Sequence, residues 1–225
     1  MREGHPSGGV VGQSLGVGVA TGAYGISFGA LATTSGLTVL QACALSLLVF
    51  TGATQFAFLG VVASGGNPIT GAAAAVLLGS RNLFYGLSLV ERLRVTGWRR
   101  LLTAHLVIDE STAIAVAHEG DEARRGFYWT GISIFVLWNL TTAIGALAGT
   151  AIGDPRDLGL DAAVGAAFLG LLWPRLTTWH ARGVALLAVA VALGLVPLTP
   201  AGVPIILGGA VAVVAGALVR PREAT

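Results

Sequence analysis

Three apolar blocks decide the fold of this chain: residues 18–32 read GVATGAYGISFGALA, residues 45–60 read LSLLVFTGATQFAFLG and residues 76–89 read VLLGSRNLFYGLSL. Each block is long and hydrophobic, but small or polar residues interrupt it, among them Thr54, Gln55 and Arg81. Lipid offers no partner to a polar side chain, so we expect these side chains to face protein or a water-filled cavity. The pattern is typical of a path through a membrane rather than of a simple anchor.

The composition extends this interpretation to all 225 residues. With 54% hydrophobic residues, 11% charged residues and a mean hydropathy of +0.79, the chain has too few polar side chains to solvate a soluble globule. We predict an all-α, polytopic transmembrane helical bundle that forms one domain over residues 1–225, with tails at residues 1–9 and 220–225. The single cysteine, Cys43, lies in an apolar segment and is interpreted as a packing residue. No metal or cofactor site is predicted.

Membrane segments are placed by length, because a spanning helix needs about 20 apolar residues. The candidates are Val10–Thr33, Val39–Ser64, Pro68–Val90, Leu101–Ala117, Phe127–Ile152, Leu160–Trp173, Val184–Val196 and Val203–Val219. Four prolines between residues 174 and 204 divide the C-terminal part, so some segments are expected to be broken or re-entrant. The sequence therefore predicts about seven or eight membrane segments. The longest polar stretch, residues 118–126, is expected to be a loop.

Orientation follows from arginine, since the chain contains no lysine. The connection ERLRVTGWRR, residues 91–100, carries four arginines and is the best candidate for a cytoplasmic loop. This distribution explains the net charge of +2 without nucleic-acid binding. The tail with Arg220 and Arg222 favours the same side, yet five candidate segments separate it from that loop. We therefore expect one C-terminal segment not to cross fully, or the tail's charges to be overruled.

Glycines line one face of the first segment. Gly18, Gly22, Gly25 and Gly29 are spaced four, three and four residues apart, which predicts close packing against another helix. A break or unwound turn near residues 24–27 is the functional alternative. The same stretch holds a formal G-x-S-x-G pattern around Ser27, the nucleophile motif of serine hydrolases, although the strand-turn-helix context of that motif is missing.

The second block concentrates polar groups at residues 51–55, Thr-Gly-Ala-Thr-Gln. Hydrogen bonding between helices is one interpretation of Thr54 and Gln55. The other is a ligand site, in which Gly52 loosens the helix and the Gln55 amide offers both a donor and an acceptor. Both interpretations stay open at this point.

Arg81 is the deepest charge in the third block. It lies about 20 Å along a helix that begins at Pro68, too far from either surface for easy escape. A guanidinium at that depth needs a carboxylate, from the protein or from a substrate. Asp109 and Glu110, in the middle of the apolar segment 101–117, are the obvious acids, and their side chains point about 100° apart on a helix. One acid can pair with Arg81 while the other faces a cavity.

At these residues the chain resembles the AzlC family, the large subunits of branched-chain amino acid permeases. The resemblance covers most of the chain and is strongest from Gly22 to Ala117. The matching positions are Phe50, Gly52, Ala53, Gln55 and Phe56 in one block, Arg81, Tyr85 and Gly86 in the next, and Asp109 with Glu110 in the third. Many members carry Asn two places before the arginine and His just after it, where this chain has Gly79 and Asn82.

The resemblance implies export of branched-chain or similar apolar amino acids across a bacterial cytoplasmic membrane, together with a small AzlD-like membrane subunit and with higher oligomers conceivable. Substrate contacts are then expected from Ser27, Thr54, Gln55, Arg81 and Tyr85, and proton coupling from Asp109 or Glu110. The chain has no phosphate-binding loop and no lysine to serve one, so the energy is expected from a gradient or a partner. The chain is not expected to be an enzyme. An intramembrane serine hydrolase at Ser27 and a non-transporting scaffold subunit are the alternatives.

Overall fold

The computed structural model describes residues 9–151, 169, 172–173 and 176–218. These residues contain helices and no strands, which confirms the all-α prediction. The helices are α1 (Gly9–Ala23), α2 (Gly25–Thr34), α3 (Val39–Leu48), α4 (Gly52–Ala63), α5 (Pro68–Gly79), α6 (Arg81–Leu93), α7 (Arg99–His105), α8 (Asp109–Ala117), α9 (Gly120–Ala151), α10 (Trp179–Leu195) and α11 (Val203–Leu218). Both predicted tails, except Gly9, and most of the predicted segment Leu160–Trp173 lie outside the described residues.

Three helical stretches in the described part of the chain are, by length and composition, long and apolar enough to cross a membrane. They are Gly9–Thr34, which joins α1 and α2, Pro68–Leu93, which joins α5 and α6, and Gly120–Ala151, which is α9. Shorter apolar helices occur at Val39–Leu48, Gly52–Ala63, Trp179–Leu195 and Val203–Ala215. The count of seven or eight segments stays a prediction.

The chain divides into two compact units. The first unit comprises Met1–Gln55 and Gly79–Leu160, and the second comprises Phe56–Leu78 and Asp161–Thr225. In the second unit, α10 and α11 pack against each other and Gly208 faces Ala192. The single-domain prediction stays a prediction, and the candidate site lies in the first unit.

Helix α9 is the packing partner of the glycine face in the first unit. A Cβ atom added at Gly18, Gly22, Gly25 or Gly29 would collide in turn with Ser133, Leu137, Thr141 and the Thr142 carbonyl. The residue numbers increase along both sides of these contacts, so α1 and α2 run parallel to α9. On the α9 side, Gly145 lies equally close to Ile26, and Gly149 lies equally close to Ala30 and Thr33. These glycine faces are therefore occupied by contacts within the chain.

The apolar stretches are interrupted within their length. Between α1 and α2 the interruption is a single residue, Tyr24, whose backbone stays helical (φ −64°, ψ −20°), so the place of the predicted break is right but no turn unwinds. Ser80 interrupts α5 and α6 in the same way (φ −58°, ψ −23°). The other two interruptions are real breaks: residues 49–51 separate α3 from α4, and residues 106–108 separate α7 from α8. The predicted segment Val39–Ser64 is therefore two helices.

The predicted segment Leu101–Ala117 is not one continuous helix, because residues 106–108 interrupt it and α7 and α8 form a helical hairpin. Asp109 at the start of α8 contacts Tyr85, and the carbonyl of His118 just beyond α8 accepts a hydrogen bond from Arg92 Nη1 at 2.9 Å. Helix α8 thus runs beside α6 in the same direction, and its end returns to the level where α6 ended. Helix α7, only about 10 Å long, must enter from that same side.

The residues at the hairpin tip explain why the chain turns back. Ser111, fully buried, accepts a hydrogen bond from the Ile108 amide at 3.1 Å and donates one to the Leu106 carbonyl at 2.6 Å. Free backbone groups at a break have no water to bind in a membrane, so a side chain must satisfy them. Ser111, the third residue of α8, does this for one carbonyl at the start of the break and one amide at its end.

The polar stretch 118–126 is also corrected, since α9 already begins at Gly120. Asp121 and Glu122 lie in its first turn, where the partial positive charge of a helix N-terminus stabilises carboxylates. Arg124 and Arg125 follow within the next turn. Because His118 lies beside Arg92, the arginines of residues 92–100 and of residues 124–125 belong to the same side of the first unit.

Candidate functional site

The charged centre of the first unit joins α6 to α8. Arg81 Nη2 donates to Asp109 Oδ2 at 2.5 Å, and the Tyr85 hydroxyl, one turn further along α6, donates to Asp109 Oδ1 at 2.8 Å. The predicted pairing of Arg81 with a nearby acid is confirmed, and Asp109 is the partner. Arg81 and Asp109 are each the first residue of a helix that starts inside an apolar stretch. The N-terminal end of α8 stabilises the Asp109 carboxylate as well.

The Arg81–Asp109 pair is only partly buried. The Arg81 and Asp109 side chains are 23% and 19% exposed, although Arg81 lies about 20 Å along the stretch that begins at Pro68. The α7–α8 hairpin places Asp109, the first residue of α8, beside Arg81 and Tyr85 of α6. The site therefore depends on α7–α8 turning back at residues 106–108.

Several buried polar atoms on the two helices that form the pair, and one on α4, have no hydrogen-bond partner among the described residues. They are Arg81 Nε and Asn82 Oδ1 on α6, Thr112 Oγ1 on α8 and Gln55 Oε1 on α4. Glu110, half-buried beside Asp109, likewise has no side-chain partner within the described part of the chain. One donor, several acceptors and one carboxylate are thus left over, whereas a saturated structural ion pair would leave none.

Thr54 and Gln55 lie at the beginning of α4, just after the break at residues 49–51. The Gln55 amide donates from Nε2 to the Leu45 carbonyl at 3.0 Å, a carbonyl near the end of α3 that also accepts from the Val49 amide. One of its two N–H groups is therefore engaged, and its Oε1 has no hydrogen-bond partner among the described residues. The buried Thr54 hydroxyl lies 3.3 Å from that of Thr51, and a Cβ added at Gly79 would come within 3.2 Å of it. Thr54 is therefore close to the chain two residues before Arg81.

The interruptions of the first unit lie at the level of the middle of α9. Leu106 in the α7–α8 break packs on Gly131, and Phe50 in the α3–α4 break packs on Phe135 with ring centroids 5.0 Å apart. Gly52 faces the ring of Trp138, which also lies beside Phe28 of α2, with centroids 6.3 Å apart. Phe135 is near the midpoint of the 32-residue helix α9. Helix interruptions that meet at membrane mid-depth are typical of binding sites in transporters.

Sequence reasoning missed His105, the last residue of α7. Its Nε2 lies 2.9 Å from the Leu47 carbonyl of α3, and its ring packs between Phe50 and Phe135. The available signal was an ionisable residue inside an apolar segment, which by default indicates a functional position.

Ser27 stands apart from the charged centre in its hydrogen bonding. Among the described residues of the first unit, His105 and His118 bond the carbonyls of Leu47 and Ile114, and neither bonds Ser27. The described part of the chain therefore gives no support to the serine hydrolase alternative. Within that same part, no three His, Cys, Asp or Glu side chains are grouped as metal ligands would be.

Comparison with known proteins gives the family. The family model described as AzlC protein matches residues 16–152, which is more than half of the chain and includes the whole charged centre. The chain belongs to the AzlC family. This confirms the resemblance that the blocks around Gln55, Arg81 and Asp109 indicated.

The curated relatives of this AzlC chain are membrane proteins. An uncharacterized membrane protein of Archaeoglobus fulgidus is 31% identical over 180 residues, covering 79% of this chain and 80% of the relative. The branched-chain amino acid transport protein AzlC of Bacillus subtilis is 24% identical over 148 residues, 64% of this chain and 58% of the relative. An uncharacterized membrane protein of Haemophilus influenzae is 27% identical over 150 residues, with 64% and 61% covered. The chain thus spans about three fifths of the length of the latter two, and no solved structure matches.

Proposed function

We propose that this chain is the large membrane subunit of a secondary transporter that exports branched-chain or similar apolar amino acids. The observation that carries the proposal is the incomplete charged centre at the helix interruptions: Asp109 is held by Arg81 and Tyr85, while Arg81 Nε and Glu110 have no side-chain partner in the described residues. The Bacillus relative, named as a branched-chain amino acid transport protein, supports the substrate class.

The leftover groups match the two ends of a zwitterion. A substrate carboxylate can bind the guanidinium of Arg81, whose fork geometry suits carboxylates. A substrate ammonium can bind Glu110, with Gln55 Oε1 and Asn82 Oδ1 as further acceptors. Thr54 and Ser27 are the remaining contacts that we propose from the sequence. The apolar side chain of the substrate needs no polar partner and suits the surrounding apolar helices.

Proton coupling is assigned to Glu110 rather than to Asp109. Two neighbouring carboxylates in an apolar setting cannot both ionise at low cost. Asp109 already accepts from Arg81 and Tyr85, so it serves best as the resident counter-ion of the arginine. Glu110 is then the group that can take up a proton from one side and release it to the other.

Orientation and partner complete the proposal. The side that holds the six arginines at residues 92, 94, 99, 100, 124 and 125 is placed in the cytoplasm of a bacterial cell, because arginine-rich connections are retained there.

A small AzlD-like membrane subunit is proposed to bind a lipid-exposed surface, since the glycine faces described above are filled by the chain itself. The chain alone is then expected to be inactive.

The experiment is efflux of radiolabelled leucine, isoleucine and valine from cells that contain this chain with its small subunit. Arg81→Lys is expected to abolish efflux at normal protein level, because lysine keeps the charge but not the fork geometry. Arg92→Lys, on the same helix but bonded only to the His118 carbonyl, is the matched control and is expected to keep activity. Near-normal efflux by the Arg81 variant would refute the carboxylate-binding role.

The scaffold alternative is tested in the same cells. A non-transporting scaffold would give no efflux above background, whether the chain is present alone or together with its small subunit. Efflux at full rate from liposomes that contain only this purified polypeptide would refute the required partner.

A further inference from the structure

We infer that His105 is a positioning residue: it ties the α7–α8 hairpin to the α3–α4 break and so fixes where α8 presents Asp109 and Glu110. The consequence for transport rests on the proposed function, whereas the positioning itself is a property of the fold. Three contacts carry the inference: a hydrogen bond to α3, a three-ring cluster that includes α9, and a short stiff connection to Asp109.

The hydrogen bond closes an otherwise open helix end. The last four carbonyls of a helix have no partner in that helix, and a membrane provides no water to replace one. At the end of α3, the Leu45 carbonyl accepts from the Val49 amide and from Gln55 Nε2, and the Leu47 carbonyl lies 2.9 Å from His105 Nε2. A carbonyl only accepts, so His105 must carry its proton on Nε2. A cation or a donor at the C-terminal end of a helix is also favoured by the helix dipole.

The ring of His105 is fixed by two aromatic side chains. Its centroid lies 5.8 Å from Phe50 and 5.6 Å from Phe135, and the edge-to-face angle to Phe135 is 74°. Phe50 and Phe135 are themselves edge to face at 87°. Phe50 belongs to the α3–α4 break and Phe135 to the middle of α9, so this single imidazole contacts both.

The connection from His105 to Asp109 has little slack. Only residues 106–108 intervene, and Ser111 bonds both the Leu106 carbonyl and the Ile108 amide. Leu106 also packs on Gly131 of α9. A displacement of His105 is therefore passed to the first turn of α8, where the Arg81–Asp109 pair is formed. Loss of the His105 bond is expected to loosen the hairpin without removing any group that touches substrate.

The test combines a labelling readout with transport. In a chain made cysteine-free by Cys43→Ser, Thr112→Cys places a buried reporter one turn beyond Asp109. His105→Phe is expected to raise the rate at which maleimide labels the Thr112→Cys reporter about tenfold. Loss of one hydrogen bond changes the equilibrium between the closed and open hairpin by about this factor. His105→Gln keeps an N–H at similar reach and is expected to restore slow labelling. His118→Phe, whose ring bonds only within its own helix turn, is the control.

Transport supplies the second readout. His105→Phe is expected to lower the maximal rate about tenfold with KM changed less than about twofold, and His105→Gln to recover most of the rate. The inference is overturned if labelling does not change, if Gln fails to rescue, or if His118→Phe has the same effect. Should His105→Phe not fold, the shorter His105→Asn takes its place. If the Thr112→Cys reporter chain with His105 intact labels slowly while the wild-type chain transports nothing, the proposed function is refuted and the positioning role stands.

Discussion

Removing the charge of Asp109 tests whether its pair with Arg81 stabilises the first unit. Exposed ion pairs contribute about 0.2–1 kcal/mol, whereas breaking a fully buried pair costs about 3–5 kcal/mol. The side chains here are 23% and 19% exposed and are joined through one guanidinium nitrogen, which places the pair between these limits. We expect Asp109→Asn to cost about 2 kcal/mol, or about 30-fold in the unfolding equilibrium constant.

The double variant decides whether the two charges interact. Arg81→Gln alone is also expected to cost about 2 kcal/mol, but Arg81→Gln with Asp109→Asn leaves no uncompensated charge and is expected to cost only about 1 kcal/mol. Reversible unfolding in mixed micelles, followed by the fluorescence of the five tryptophans, measures all three. A double variant that loses the sum of the single costs, about 4 kcal/mol, would show that the 2.5 Å contact carries no coupling energy. A double variant that is stable yet inactive separates the site's stability from its function.

Further predictions concern coupling, packing and topology. Glu110→Gln is expected to abolish pH-driven efflux while equilibrative exchange continues, and full pH-gradient dependence in both Glu110→Gln and Asp109→Asn would rule out proton coupling through these acids. Gly29→Ala is expected to cost about 1–3 kcal/mol in micelle unfolding because its Cβ meets backbone of α9, whereas Gly12→Ala on the same stretch meets nothing and is expected to be neutral or stabilising. In the Cys43→Ser background, cysteines at Thr96 and Glu119 are expected to react with an impermeant maleimide from the same side of the membrane; labelling from opposite sides would mean that α7–α8 crosses.

The charged centre was largely predictable, because its members are conspicuous in an apolar sequence. A guanidinium at the depth of Arg81 needs an acid, and few acids lie inside apolar segments, so Asp109 and Glu110 followed directly. The choice between the two could not be made from spacing. The two side chains point about 100° apart on α8, and the packing of α8 beside α6 decides which of them faces Arg81.

The break that turns α7 back into α8 could not be predicted from hydropathy. Leu101–Ala117 has the length and apolar character of a short crossing, and Leu106–Ile108 carries no Gly or Pro to mark the turn. The turn is specified instead by contacts with residues far away in the chain, such as Leu106 on Gly131 and Arg92 on the His118 carbonyl. The same holds for His105, whose acceptor lies 58 residues earlier.

The contacts of the central turns of α9 predict where suppressor mutations will occur. Gly131, Phe135 and Trp138 contact residues of two helix breaks, and Trp138 also lies beside α2. A defect introduced at any one interruption therefore displaces a surface that the others share. Second-site revertants of an inactive chain, selected for regained efflux, are expected to collect on this short stretch of α9 even when the original lesion lies in α2, α4 or α8.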